Sequence, residues 1–298
     1  MLILKMKISS LFVTFLLLQF CKTQNNNGPV EYNVDMEVFS GRSNPTWRVN
    51  TRSPVYDRLS RMLSRVRPTR MKDKLGYRGF VIEARDALGN RRKTTVGAGS
   101  SPALEMLLLN SSPYPLEGAV KQTVMDAIRR TNQQIFPVSL AIGNFNVNDD
   151  DALPVCRPPT YNPTLWNRQP TVRLNNCYNY ATQRRTNTFA QPGRATGRQY
   201  SRPIEARNVF YATIRDGFIP VPFFRPRTCV IALAVWPGVD YHFYRLDSNR
   251  LWSHKPGRTN ARNTDNSGQL IVDPRIADRG EYVVFAGYLL NQPAARVT

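Results

Sequence analysis

The sequence predicts an α+β protein built in two parts, and three observations carry that prediction. Residues 31–145 mix strand-like alternation with apolar stripes of helical period. Residues 165–298 order their elements differently, with two helices first and then a run of strands. Between them, "NVNDDDALPVCRPPTYNPT" (146–164) is rich in Asp, Asn and Pro and reads as a linker.

In the first part, "VDMEVFSG" (34–41) alternates as a half-buried strand does and ends at a glycine turn. "SPVYDRLSRMLSRV" (53–66) spaces Val55, Leu59, Met62, Leu63 and Val66 along one helical face, with arginines opposite and Ser53-Pro54 at the start. "YRGFVIEARDALGN" (77–90) is a strand with Phe80 and Ile82 on one face, closed by a turn at Leu88-Gly89-Asn90. "LEGAVKQTVMDAIRRTNQQI" (116–135) is a second helix, with Val120, Val124 and Ile128 on its apolar side. No Gly-rich phosphate loop, histidine or metal-ligand cluster occurs here, so no cofactor and no metal are expected, and the module is read as binding or support. Asp149, Asp150 and Asp151 lack the glycine and terminal glutamate of a calcium loop, which favours a solvated linker.

The second part predicts a helix from Cys177 to about Phe189, stopped by Pro192-Gly193, and another over "PIEARNVFYATIRDGF" (203–218). Three strands follow: "CVIALAVW" (229–236), "YHFYRL" (241–246) and "RLWSHK" (250–255).

The ends, the charge and the cysteines bound the setting. Lys5 and Lys7 precede an apolar run of 10 residues, "LFVTFLLLQF", and polar "KTQNNN" follows. That is a secretory signal peptide over residues 1–23, shorter than the ~20 apolar residues a bilayer span needs. The mature chain is expected to be secreted, with no membrane anchor. Losing Lys5, Lys7 and Lys22 takes the formal charge from +20 to +17. Such a surface attracts anionic extracellular polymers: cell wall, acidic polysaccharide or acidic matrix protein. Secretion argues against nucleic acid as the partner. One usable sequon, Asn110-Ser111-Ser112, marks a glycosylation candidate. Cleavage also removes Cys21 and leaves Cys156, Cys177 and Cys229. An odd count leaves one thiol unpaired within the chain. A Cys156–Cys229 disulfide with Cys177 free is the economical arrangement, and a bridge that includes Cys177 stays open.

The chain's only histidines, His242 and His254, lie in the expected hairpin downstream of Cys177. A thiolate nucleophile needs its pKa lowered from about 8.5, which a helix N-terminus and an imidazolium both favour, and a base held by a third polar group. Cys177, His242 and His254 could fill those roles. Pairing residue 244 with 254 puts both histidines on one face and needs a three- or five-residue loop; a two-residue loop separates them. Asn249 tolerates the left-handed turn conformation such a loop wants. The plainer reading makes His242 a cross-strand core residue and His254 a turn residue.

A cysteine at a helix start, a histidine in a following strand and a polar residue in the next strand resemble the NlpC-type papain-like cell-wall peptidases and amidases. The resemblance covers roughly residues 165–290 and implies a papain-like domain. In it, Cys177 is the nucleophile and contributes its amide to the oxyanion hole, His242 is the base and acid, and His254 orients it. That family usually has Asp before the cysteine and Ser-Gly after it. Here Asn176 precedes and Tyr178-Asn179 follow, so a tyrosine is expected to crowd the cleft. "CYNYA", "DSNRLWSHKPG" and "DPRIADRGEY" also resemble a group of secreted proteins.

Two functions follow as expectations. One is a secreted thiol amidase or peptidase forming an acyl-enzyme on Cys177, with peptidoglycan-like peptides as substrates. The alternative is a non-catalytic, basic structural or adhesive protein of an extracellular matrix, mineralised matrices such as invertebrate shell included.

Overall fold

The computed structural model describes residues 28–129, 140–141, 156–222, 224 and 228–298, with only the backbone at 140–141. The expected signal peptide, the Asp149–Asp151 cluster and the end of the 116–135 helix lie outside them.

The first part is an antiparallel sheet of β1 (Pro29–Glu37), β2 (Thr46–Asn50), β3 (Gly79–Asp86) and β4 (Arg91–Gly97) in the order β2-β1-β3-β4. Alternation buries Tyr32, Val34, Met36, Trp47, Val49, Phe80, Ile82 and Val96 on one face. Helices α1 (Tyr56–Leu63), α2 (Pro102–Asn110) and α3 (Gly118–Arg129) cover that face. They contribute Leu59, Leu104, Leu108, Val120, Val124 and Ile128 to the same core; the stripes of α1 and α3 were read from the sequence, and α2 was not. Helix α1 begins at Tyr56, three residues after Ser53. Asn110, the sequon asparagine, is the exposed last residue of α2.

In the second part, short helices α4 (Thr164–Asn167), α5 (Thr171–Leu174) and α6 (Cys177–Ala181) lead to α7 (Ala206–Arg215). The strands are β6 (Ile219–Val221), β7 (Val230–Trp236), β8 (Asp240–Leu246), β9 (Trp252–His254) and β10 (Val284–Leu290). They form a sheet ordered β5-β10-β7-β8-β9, in which β5 is Leu140–Ala141 and β6 also pairs with β10. The α+β class is thus observed, with the cysteine-bearing helix packed on antiparallel strands.

Every residue of β7, "VIALAVW", is buried, as a strand covered on both faces requires. Val230, Ala232, Ala234 and Trp236 join the core of the first sheet. Ile231, Leu233 and Val235 face a second core with Tyr178, Val209 and Phe210. The two parts therefore share one continuous core, instead of sitting apart on a linker. The described half of the expected linker is also tied down, since the Ser248 amide donates to the Pro159 carbonyl at 2.8 Å.

A disulfide joins Cys156 to Cys229 across 73 residues. Closing a loop of that length restricts the unfolded chain, and such bridges are typically worth about 2–4 kcal/mol. Reducing the protein is expected to lower its stability to urea by that amount. A loss under about 1 kcal/mol would mean that the bridge constrains little.

Helix α6 ends at Ala181, well short of the expected Phe189. The Asn179 side chain donates to the Arg184 carbonyl and to Thr186 Oγ1, both at 2.8 Å. Gln183, Asn187 and Phe189 take positive φ values of 60°, 59° and 55°, which a helix cannot accommodate.

Candidate functional site

The start of α6 is built as the sequence implied. Asn176 caps it, its side chain accepting the Tyr178 and Asn179 amides at 3.1 Å, while Asn179 Oδ1 accepts the Asn176 amide at 3.1 Å. This reciprocal cap satisfies donors that the first helical turn leaves open. Tyr178 does not crowd a cleft. Its ring lies between Phe218 and Phe243, and its hydroxyl donates to Asp216 at 2.8 Å, inside the core.

The hairpin adopts the register that unites the histidines. Tyr244 pairs with His254 and Leu246 with Trp252, leaving a five-residue loop, 247–251. Its left-handed residue is Arg250 (φ 66°), and Asn249 serves by accepting the Leu251 amide. His242 Nε2 lies 2.8 Å from His254 Nδ1. Both rings contact Tyr244, edge-on for His242 and stacked for His254.

Cys177 is not brought to His242 in the same way. Cys177 packs in the cluster containing Tyr241 and Phe243, and its thiol meets the Ser40 hydroxyl that in turn meets His242. Its thiol reaches the Tyr241 carbonyl at 4.0 Å, beyond the last pair with β9. The position that a nucleophile would need at His242 is taken by Ser40, whose Oγ lies 2.5 Å from His242 Nδ1. Ser40 belongs to the β1–β2 loop, residues 38–45, and no sequence pattern marked it.

That loop is fastened from both sides. Asp240, fully buried at the start of β8, accepts the Ser40, Gly41 and Arg42 amides at 2.6, 3.2 and 3.2 Å and the Tyr282 hydroxyl at 2.6 Å. The Gly41 carbonyl accepts from Asn176 Nδ2 (2.8 Å), Gln191 Nε2 (2.8 Å) and the Tyr241 hydroxyl (3.0 Å). A Cβ at Gly41 would sit 2.5 Å from the Tyr241 ring, so only glycine fits. Asn44 Oδ1 accepts the Val38 and Phe39 amides, and Arg78 donates to Glu37 and to the Phe39 carbonyl.

The electrostatics follow from burial. Desolvation, then the Asp240 charge, pushes the Cys177 thiol up to about 12, opposed by the Phe243 amide and the Ser40 hydroxyl. Desolvation is also the main cause holding both imidazoles well below their ordinary pKa, with His254 and Arg262 adding repulsion at His242. His254 Nε2 lies 2.9 Å from the Thr264 carbonyl and 3.1 Å from Arg262 Nε. The carbonyl only accepts and the guanidinium only donates, so they orient the imidazole pair in opposite senses. In either sense each ring carries one proton and no charge. Lys255, wholly buried, donates to the Val172, Asn175 and Gly257 carbonyls, and burial lowers its pKa to about 7.

The arrangement is a sealed row of neutral groups: thiol, hydroxyl and two imidazoles. It cross-links the two parts of the chain and offers no ionised nucleophile. Among the described residues, no group of three or more His, Cys, Asp or Glu could hold a metal ion, and no helix is long and apolar enough to cross a membrane.

No family model and no solved structure matches the chain. Among curated proteins, the insoluble matrix shell protein 1 of Ruditapes philippinarum is 57% identical over 138 residues. The match takes in 46% of this chain and 93% of that protein.

Proposed function

Because the chain belongs to the family of the insoluble matrix shell protein 1 of Ruditapes philippinarum, we propose that it is a non-catalytic, basic structural protein of an extracellular matrix, of the mineralised kind found in shell. The identity of 57% across nearly all of that relative is the observation that carries this reading. The sealed Cys177–Ser40–His242–His254 row supports it, since a buried neutral thiol suits cross-linking of the fold better than acyl transfer.

A cationic strip supports it as well. From Arg52 to Lys74 the chain has eight basic and two acidic residues, 8 − 2 = +6. Arg52, Arg58, Arg61, Arg65, Arg67, Arg70 and Lys72 are all exposed. Their charged groups have no ion-pair partner among the described residues, leaving them for an acidic polymer. The strip begins on the arginine side of α1 and continues along the segment that follows it.

Retention on alginate beads across a salt series tests the proposal. Retention is expected to fall steeply with salt, and changing Arg58, Arg61, Arg65 and Arg67 together to Gln should flatten the slope by about four. Retention indifferent to both would count against it.

The thiol amidase reading keeps two features in its favour, the capped helix start at Cys177 and the Tyr244–His254 register. It requires the 38–45 loop to withdraw and the thiol to ionise.

A further inference from the structure

The outer face of the first sheet, away from the core, holds a groove of about 530 Å³ lined in part by Asn33, Thr46, Arg48, Val81 and Tyr114. We propose that this groove binds a neutral glycan chain, giving the protein a second, uncharged matrix polymer to hold; the proposal deepens the matrix reading and rests on it.

Strand register builds the bed. Arg48 pairs with Asn33, Asn33 with Glu83 and Glu83 with Lys93, one row across four strands. Thr46, Asp35 and Val81 form the adjacent row. With strands 4.7–4.9 Å apart, the first row is about 14 Å long, more than the width of one sugar ring. The volume falls in the usual range of ligand sites, about 300–1,000 Å³.

Charge decides the class of ligand. The whole chain carries +20, yet the lining balances Arg48 and Lys93 against Asp35 and Glu83. A polyanion gains little here and much on the α1 strip. The polar groups match hydroxyls, which both donate and accept. The Asn33 amide, the Arg48 guanidinium and the Tyr114 hydroxyl have no side-chain partner among the described residues. Asp35 is held by Thr46 (2.6 Å) and paired with Arg258 (3.9 Å), and Glu83 by Arg91 and Lys93 (3.3 and 3.4 Å), with acceptor capacity left over. Val81, 5% exposed, gives an apolar floor, and Tyr114, 68% exposed, supplies a ring for the C–H face of a sugar. An extended peptide would seek a free strand edge for its backbone, and this bed is a sheet face.

Calorimetric titration of the full chain with cellohexaose and with the hexamer of N-acetylglucosamine tests the proposal. Saturable binding of at least one is expected, unchanged between 0.05 and 0.5 M salt. Tyr114→Ala and Asn33→Ala should each weaken it about tenfold, while Tyr114→Phe retains it. Tyr114 is exposed and Asn33 half-buried, and a thermal melt of each variant checks folding. The proposal is overturned if neither probe binds, if binding survives both alanine changes, or if it disappears with salt. Loss of glycan binding with alginate retention intact removes this inference alone; loss of alginate retention removes the matrix reading.

Discussion

Replacing Asp240 with alanine is expected to cost about 4–5 kcal/mol. The carboxylate is fully buried and accepts from the Ser40, Gly41 and Arg42 amides and from the Tyr282 hydroxyl. Alanine leaves four donors without an acceptor in a region water does not enter. Each such orphan costs about 1–3 kcal/mol, and breaking buried charged arrangements typically costs 3–5 kcal/mol. Partial relaxation of the loop keeps the sum below the simple total. Asp240→Asn, which keeps an acceptor but loses the charge, should fall between wild type and alanine. Urea midpoints at unchanged slope measure both. A loss under about 1 kcal/mol for Asp240→Ala would mean that the 38–45 loop is not held by this carboxylate.

The second large effect is acid sensitivity from the histidine pair. Unfolded histidine titrates near 6.5, whereas burial holds His242 and His254 well below that. Below pH 6.5 the unfolded chain takes up protons that the folded chain refuses, so stability falls as pH falls. The contribution is fully present above 6.5 and is lost on acidification towards the folded pKa. Each group gives at most about 1.4 kcal/mol per pH unit, or about 2.7 for the pair. Asp216, Asp240 and Asp247, whose carboxyls burial raises, take up protons in the folded chain first and oppose part of this loss, while Glu117 and Asp273, whose carboxyls are held below their ordinary range, contribute only at lower pH. Stability of His254→Asn should fall with about half the slope. A flat profile between pH 5 and 7 in the wild type would contradict the buried neutral pair.

The parts of this molecule that repeat at short range were legible in its sequence. Alternation in "YHFYRL" and "RLWSHK" narrowed the hairpin to two registers, and the structure takes the one that pairs residue 244 with 254 and puts the histidines on one face. The helical stripes of α1 and α3 were equally plain, since burial of Leu59, Val120 and Val124 follows from spacing alone. Ser40 was not legible, because it meets His242 across 202 residues and serine carries no signal of its own. The clue that existed was Asp240, an acid between Val239 and Tyr241 at the start of a strand that is buried throughout. Such a residue must be partnered when buried. The length of α6 was misjudged because its end depends on the Asn179 side chain hooking the following loop, not on the later Pro192-Gly193. The core shared by the two parts was not legible for a related reason. An all-apolar strand such as β7 needs cover on both faces, and its second cover is the first sheet.

Alkylation of Cys177 separates the matrix protein from the thiol amidase. The oxidised, folded protein is treated with iodoacetamide from pH 4 to 9, and the modified peptide is mapped by mass. A buried thiol with its pKa near 12 is expected to stay unmodified throughout and to react only after unfolding in urea. Rapid alkylation well below pH 8, abolished by His242→Ala, would reveal an activated thiolate and contradict the non-catalytic reading.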